Sequence, residues 1–331
     1  MKDTDYKGIN TLIRTYELRL LKTDDFERML KADDLKSALD LLNGTEYEFD
    51  REEVLRTKDF NGFLMRLLAD VYRELFEIAP NPELIELFTL RYTYHNLKVL
   101  LKQRFLEEDL EELLIPIGRQ SLDSLKNLVD TGESEQAHPL MVEAVQSTLA
   151  DYEERSMLSA VTVYLDTFYF RHLRDITDRL DFAAITNITD TIIDLYNLTT
   201  VVRSLNQGKP RSHLHTLLSS SGSITKQEII DESINGAVTV LRKLYAGKPY
   251  SAQLEAVIID NKDINTLKLD KLSDSLIHEI VSEGIYQAFG PLPLLGYIYA
   301  KETEIRNLRL LLTGKDNDIA EDILRERVLK K

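Results

Sequence analysis

The sequence predicts an all-α fold built from three versions of one helical unit, and three observations lead there. Apolar residues recur at helical spacing over long stretches, a short pattern returns after 101 and then 110 residues, and 331 residues hold only 13 Gly and 8 Pro. So few turn formers do not suit a loop-rich β architecture. With 43% hydrophobic and 29% charged residues the chain is globular, and at this length it buries a core without staples.

Taken in order, Tyr6, Ile9, Ile13, Tyr16 and Leu20 step by three and four and predict an opening helix. Asp24-Asp25 and Asp33-Asp34 read as helix starts or solvated faces. Pro80-Asn81-Pro82 marks the start of a long helix carrying Leu87, Leu90, Tyr94, Leu97 and Leu101, because proline in the first turn sacrifices no hydrogen bond. Ile117-Gly118 and Ser221-Gly222 read as loops that open new helical runs. Between them Ile188, Ile192, Leu195, Leu198, Val202 and Leu205 form a second long stripe. Pro291-Leu292-Pro293 repeats the earlier proline pair, so long helices are expected over 80–104, 181–205 and 291–315.

The repeat is read from Asn96-Leu97, Asn197-Leu198 and Asn307-Leu308, each followed by two variable and two apolar residues, and each preceded two positions earlier by an apolar residue. Both proline pairs stand 16 and 14 residues before their asparagine. Leu35-Lys36-Ser37-Ala38-Leu39 also resembles Ile234-Asn235-Gly236-Ala237-Val238. The expected units are therefore 1–109, 110–215 and 216–331, with Asn96, Asn197 and Asn307 as structural repeat positions. Asn is a mediocre helix former, so a recurrent side-chain hydrogen bond is expected at each.

No motif in the chain carries chemistry. Gly208-Lys209, Gly247-Lys248 and Gly314-Lys315 lack the spacing of a phosphate loop, and two of them fall where a helix is expected to be capped. Glu135-x-x-His138 is single, and His213-Leu214-His215 lies beside Lys209 and Arg211, so neither reads as a metal site. Absence of cysteine removes thiolate catalysis and suits a reducing cytoplasm. Asn43, Asn187 and Asn197 then match glycosylation sequons by chance, since no secretory pattern follows Met1. A net charge of −15 argues against nucleic acid as a partner, and the uncharged stretch 284–300 is broken by Pro and Gly, so it reads as a buried junction rather than a membrane span. Catalytic, cofactor and metal residues are thus expected to be none. Glu302 and Arg306 have the spacing of a surface ion pair, and Glu304, Arg306 and Arg309 are candidate partner contacts.

Tyr6, Asn10, Arg14, Glu17, Leu20 and Leu21, then Thr45-Glu46-Tyr47, resemble the opening of the C subunit of the prokaryotic V-type (A/V-type) ATPase, the relative of the eukaryotic d subunit. Gly290-Pro291, Gly296-Tyr297, Ala300-Lys301-Glu302, Glu304-Ile305 and Asn307-Leu308-Arg309 resemble that family's C-terminal signature. One departure is Thr93, where Asp194 and Glu304 supply an acid three residues before the other repeat asparagines. The resemblance implies three related helical domains arranged as a funnel, one copy per complex, at the cytoplasmic face of the membrane. It implies the central-stalk subunits and the membrane rotor ring as partners, and a coupling role without catalysis.

Two rival readings come from the residues alone. A generic helical-repeat scaffold would bind an extended partner, but solenoid units run to about 20–50 residues, shorter than those here. A helical enzyme would need a polar pocket assembled from dispersed acids.

Overall fold

The structure is a computed structural model that describes residues 3–48 and 50–329. In chain order its helices are α1 (Lys7–Glu17), α2 (Thr23–Lys31), α3 (Leu35–Asp40), α4 (Arg51–Thr57), α5 (Phe60–Ile78), α6 (Pro82–Leu106), α7 (Leu122–Thr131), α8 (Pro139–Arg155), α9 (Leu158–Leu180) and α10 (Ala183–Asn206). There follow α11 (Arg211–Leu217), α12 (Lys226–Glu232), α13 (Ala237–Leu244), α14 (Ser251–Glu255), α15 (Thr266–Ser282), α16 (Leu292–Asp316) and α17 (Glu321–Arg327). The all-α class holds, with one small exception. Ile258–Ile259 and Asp263–Ile264 form a two-stranded antiparallel hairpin, β1 and β2. Asp260 and Asn261 both take positive φ there, which is the backbone of a tight hairpin turn and suits these two residue types.

The chain forms two compact units, one of residues 1–85 with 281–331, the other of 86–280. In the first, α16 is the central element and packs on α1, α2, α3, α5 and α17. It buries residues on every side of its axis, including Leu294, Leu295, Ile298, Ile305, Leu308 and Leu312, as expected of a helix wrapped by others. In the second unit α8 pairs with α9, and α10 packs on α9, α11 and α13. A contiguous apolar cluster there runs from Leu195, Leu198 and Val202 on α10 to Leu241, Tyr245 and Leu254.

The three expected long helices are present as α6, α10 and α16, of 25, 24 and 25 residues. Asn81 accepts from the Glu83 amide ahead of the first turn of α6, and Pro291 occupies the N-cap of α16. Before α10 the turn is made instead by Asp181, in the left-handed region at φ 52°. The caps differ from expectation at one end. Gly208 does close α10, with positive φ and its successor Lys209 donating to Ser204 O at 2.9 Å. Gly314, by contrast, lies inside α16, where a Cβ would run into the Leu324 side chain of α17, and the reversal comes later, at Asp318. Gly314 is there for close helix approach rather than capping. The opening helix likewise stops at Glu17, short of Leu20, and 18–20 form a turn that leads to Leu21.

Candidate functional site

Each long helix uses its asparagine in the same way. Asn96 Nδ2 donates to Ile115 O at 2.7 Å and its Oδ1 accepts from Ile115 N at 2.8 Å. Asn197 makes the same pair with Ser219, at 3.0 and 2.8 Å, and Asn307 with Leu329, at 2.9 and 3.0 Å. A primary amide can donate and accept side by side, so it substitutes for a β-ladder partner of one loop residue. All three asparagines are essentially buried. The loop residues held lie 19, 22 and 22 positions downstream.

The residue three before each asparagine sits on the next turn of the same face and holds a neighbouring loop. Asp194 Oδ1 accepts from Ser223 N at 2.9 Å and Ile224 N at 3.4 Å, just ahead of the Thr225 N-cap of α12. Glu304 Oε2 accepts from Leu21 N at 2.6 Å, just ahead of the Lys22 N-cap of α2. Thr93 replaces the acid on α6, and Gly118 approaches it so closely that a Cβ there would stand 2.7 Å from its Oγ1. At Gly222 a Cβ would likewise stand 2.6 Å from Asp194 Oδ1. The acid-free copy is thus accommodated by its short side chain and a loop glycine in contact.

Around Glu304 lies a buried ionic cluster. Lys301 is 2% exposed, reaches Glu304 Oε1 at 3.2 Å and Glu46 Oε2 at 2.5 Å, and sits 4.6 Å from the Tyr47 ring centroid. Tyr47 OH donates to Glu304, and burial together with that carboxylate pushes its phenol well above the usual range. Tyr72 OH donates to Glu302 at 2.5 Å. Nearby, Asn10 Nδ2 donates to Ala288 O and Gly290 O, while Arg14 pairs with Glu17 at 2.8 Å and donates to Gly284 O and Gln287 O. Tyr16 bonds Glu74, and burial plus that contact raise its phenol to about 12. Residues of the N-terminal and C-terminal signatures, some 255–285 positions apart, therefore complete one another inside the first unit.

This fixes the place of the candidate contacts. Glu304 faces the interior with both carboxylate oxygens engaged. Arg306 is half-buried, and Arg309 is exposed and donates to Asn61 at 3.1 Å. Glu302, expected at the surface, is buried against Tyr72. Sequence reasoning missed Ser223 and Lys248, which join Asp194: Lys248 Nζ lies 2.8 Å from Asp194 Oδ2, and Ser223 Oγ donates to the same oxygen at 2.5 Å. Ser, Lys and Asp in contact resemble a nucleophile with its base. Here the ammonium is paired with a fully buried carboxylate and the hydroxyl points its proton at that carboxylate, so the trio serves as a latch. Among the described residues no group of His, Asp and Glu is placed to hold a metal ion, and no helix is long and apolar enough to cross a membrane.

Comparison with known proteins gives a family match along nearly the whole chain. Residues 9–327 match the family model described as ATP synthase (C/AC39) subunit. The C subunit of the V-type sodium ATPase of Enterococcus hirae is 32% identical over 327 residues, covering 98% of each chain. The C subunit of the A-type ATP synthase of Methanocaldococcus jannaschii is 23% identical, covering 98% of this chain and 86% of that one. That of Thermococcus kodakarensis is 22% identical, over 99% and 91%.

Proposed function

The chain belongs to the ATP synthase (C/AC39) subunit family, and on that footing we propose that it is a non-catalytic adaptor of the central rotor. It joins the central-stalk subunits of the soluble motor to the rotor ring in the membrane and carries torque between ATP chemistry and ion movement. Its three helical parts, 1–109, 110–215 and 216–331, form a funnel, one copy per complex, lying peripherally at the cytoplasmic face. Arg306 and Arg309 are the candidate partner contacts retained, since Glu304 is taken up internally.

One observation supports this most: the residues shared with the family signatures are spent on holding helices and loops to one another. Bidentate asparagine ties and buried ion pairs oppose sliding of a loop along a helix, which is what a part under torque requires. A site for turnover would instead leave polar groups open to a substrate.

The test is a reconstituted motor assembled with and without this protein, following phosphate release and ion uptake together. Without it, hydrolysis by the soluble part should continue while ATP-driven ion uptake is lost. Unchanged uptake would overturn the coupling role, and saturable ATPase activity of the purified chain would overturn its non-catalytic character.

A further inference from the structure

His138 stands at the N-cap of α8, ahead of Pro139 at the first helical position. Its Nδ1 accepts from Leu140 N at 3.2 Å, capping an amide that has no partner within the helix. An Nδ1 that accepts is bare, which puts the proton of the neutral ring on Nε2; that nitrogen lies 3.1 Å from Asp175 Oδ2, its acceptor, and 3.2 Å from Arg179 Nη1, a donor that also pairs with Asp175. The ring stacks on His172 with centroids 4.0 Å apart and planes at 23°. His172 is fully buried; its Nδ1 lies 3.4 Å from Tyr94 OH and its Nε2 has no hydrogen-bond partner among the described residues.

With Nε2 already protonated, a second proton can enter only at Nδ1. There it turns the acceptor into a donor aimed at the Leu140 N–H, so proton uptake and capping exclude each other. Histidine is an unusual cap for this reason: side-chain oxygens of Ser, Thr, Asp or Asn do the same work without titrating near neutrality.

We propose that His138 is an acid-sensitive cap, whose protonation on Nδ1 releases the first turn of α8 while its Nε2–H stays on Asp175. The groups facing it act in both directions. Asp175 on α9 and Glu86 on α6 favour the charge, and Arg179 on α9 opposes it from 3.2 Å. Glu86 is itself paired with Arg119 at 3.0 Å, and Asp175 with Arg179. Tyr94 on α6 faces His172 and stays a neutral phenol, since burial raises it. Burial, with Arg179, outweighs the acids and lowers His138 below its ordinary value, while burial, with the neighbouring His138 and Arg179, holds His172 near 3. The device is built from residues of this chain alone, so it does not rest on the adaptor reading.

Amide hydrogen exchange of the purified full chain, corrected for intrinsic rates and scanned from pH 7.5 to 4.5, tests this. Protection of the Leu140 region should fall about five- to tenfold on acidification in the wild type, the effect of losing an N-cap. In His138→Asn, whose side chain caps without titrating, protection there should stay level across the scan. Equal loss in His138→Asn, or no loss in the wild type, overturns the proposal. Imidazole nitrogen resonances of the labelled wild-type chain give a check that needs no variant: His138 must show the Nε2–H form at pH 7.5, and the Nδ1–H form would equally overturn it.

Discussion

Replacing Asn197 by alanine removes both hydrogen bonds to Ser219 at a place where water cannot take over, because Asn197 is 0% exposed and Ser219 is 4% exposed. Each buried backbone group left unpaired costs about 1–3 kcal/mol. Alanine returns roughly half a kcal/mol of helix propensity, so with two such groups the net loss should be about 1.5–5.5 kcal/mol. Asn307→Ala should cost less, about 1 kcal/mol, because Leu329 is half-buried and solvent can replace the amide. Asn96→Ala, with half-buried Ile115, should fall between them. Urea unfolding followed by circular dichroism gives the overall loss, and exchange of the Ser219 amide reports the local one without assuming a two-state transition. A cost for Asn197→Ala within half a kcal/mol of zero, or equal costs at all three positions, would refute the reasoning.

Other outcomes follow from the same geometry. Gly284→Ala should destabilise more than Gly314→Ala, because the new Cβ at 284 would meet the Leu292 backbone at 2.5 Å, whereas at 314 it meets only the Leu324 side chain; about 3 against about 1 kcal/mol is expected, read from thermal unfolding. Glu304→Gln should cost about 2–4 kcal/mol, since it strips Lys301 of one of its two carboxylates and leaves it Glu46; an effect under half a kcal/mol by urea unfolding would show the cluster to be inert. The second unit should lose stability in acid. His172 is held near 3 when folded and returns to about 6.5 when unfolded, so the unfolded state binds the proton first as pH falls. The stability is full above 6.5 and lost toward 3, with about 2 kcal/mol gone by pH 5. Urea midpoints at pH 7 and 5 should differ more in the wild type than in His172→Phe, which removes only the His172 share of the acid loss.

The long helices were legible because apolar spacing is a local property: the windows 80–104, 181–205 and 291–315 lie within about two residues of α6, α10 and α16. The repeat asparagines were legible too, since three copies of one constraint leave the same residue at the same offset. The surface role expected for Glu302 and Glu304 was misplaced for a physical reason. Acids on a helix usually face water, and only the arrival of Tyr47, Tyr72 and the Leu21 amide from elsewhere makes burial tolerable. The 258–264 hairpin escaped notice because two-residue strands are too short to show a period.

By itself, then, the sequence determined the helical class, where the main helices run, and which positions recur, all of which follow from spacings of a few residues or from self-comparison. What only the tertiary structure decided is which loop each recurrent residue holds: Asn10 and Arg14 reach 284–290 across some 270–280 positions, and Glu304 reaches Leu21 across 283. Chain entropy makes such contacts invisible to any local pattern, because nothing along the sequence marks which distant backbone amide will come within 3 Å of a given carboxylate until the intervening helices have packed.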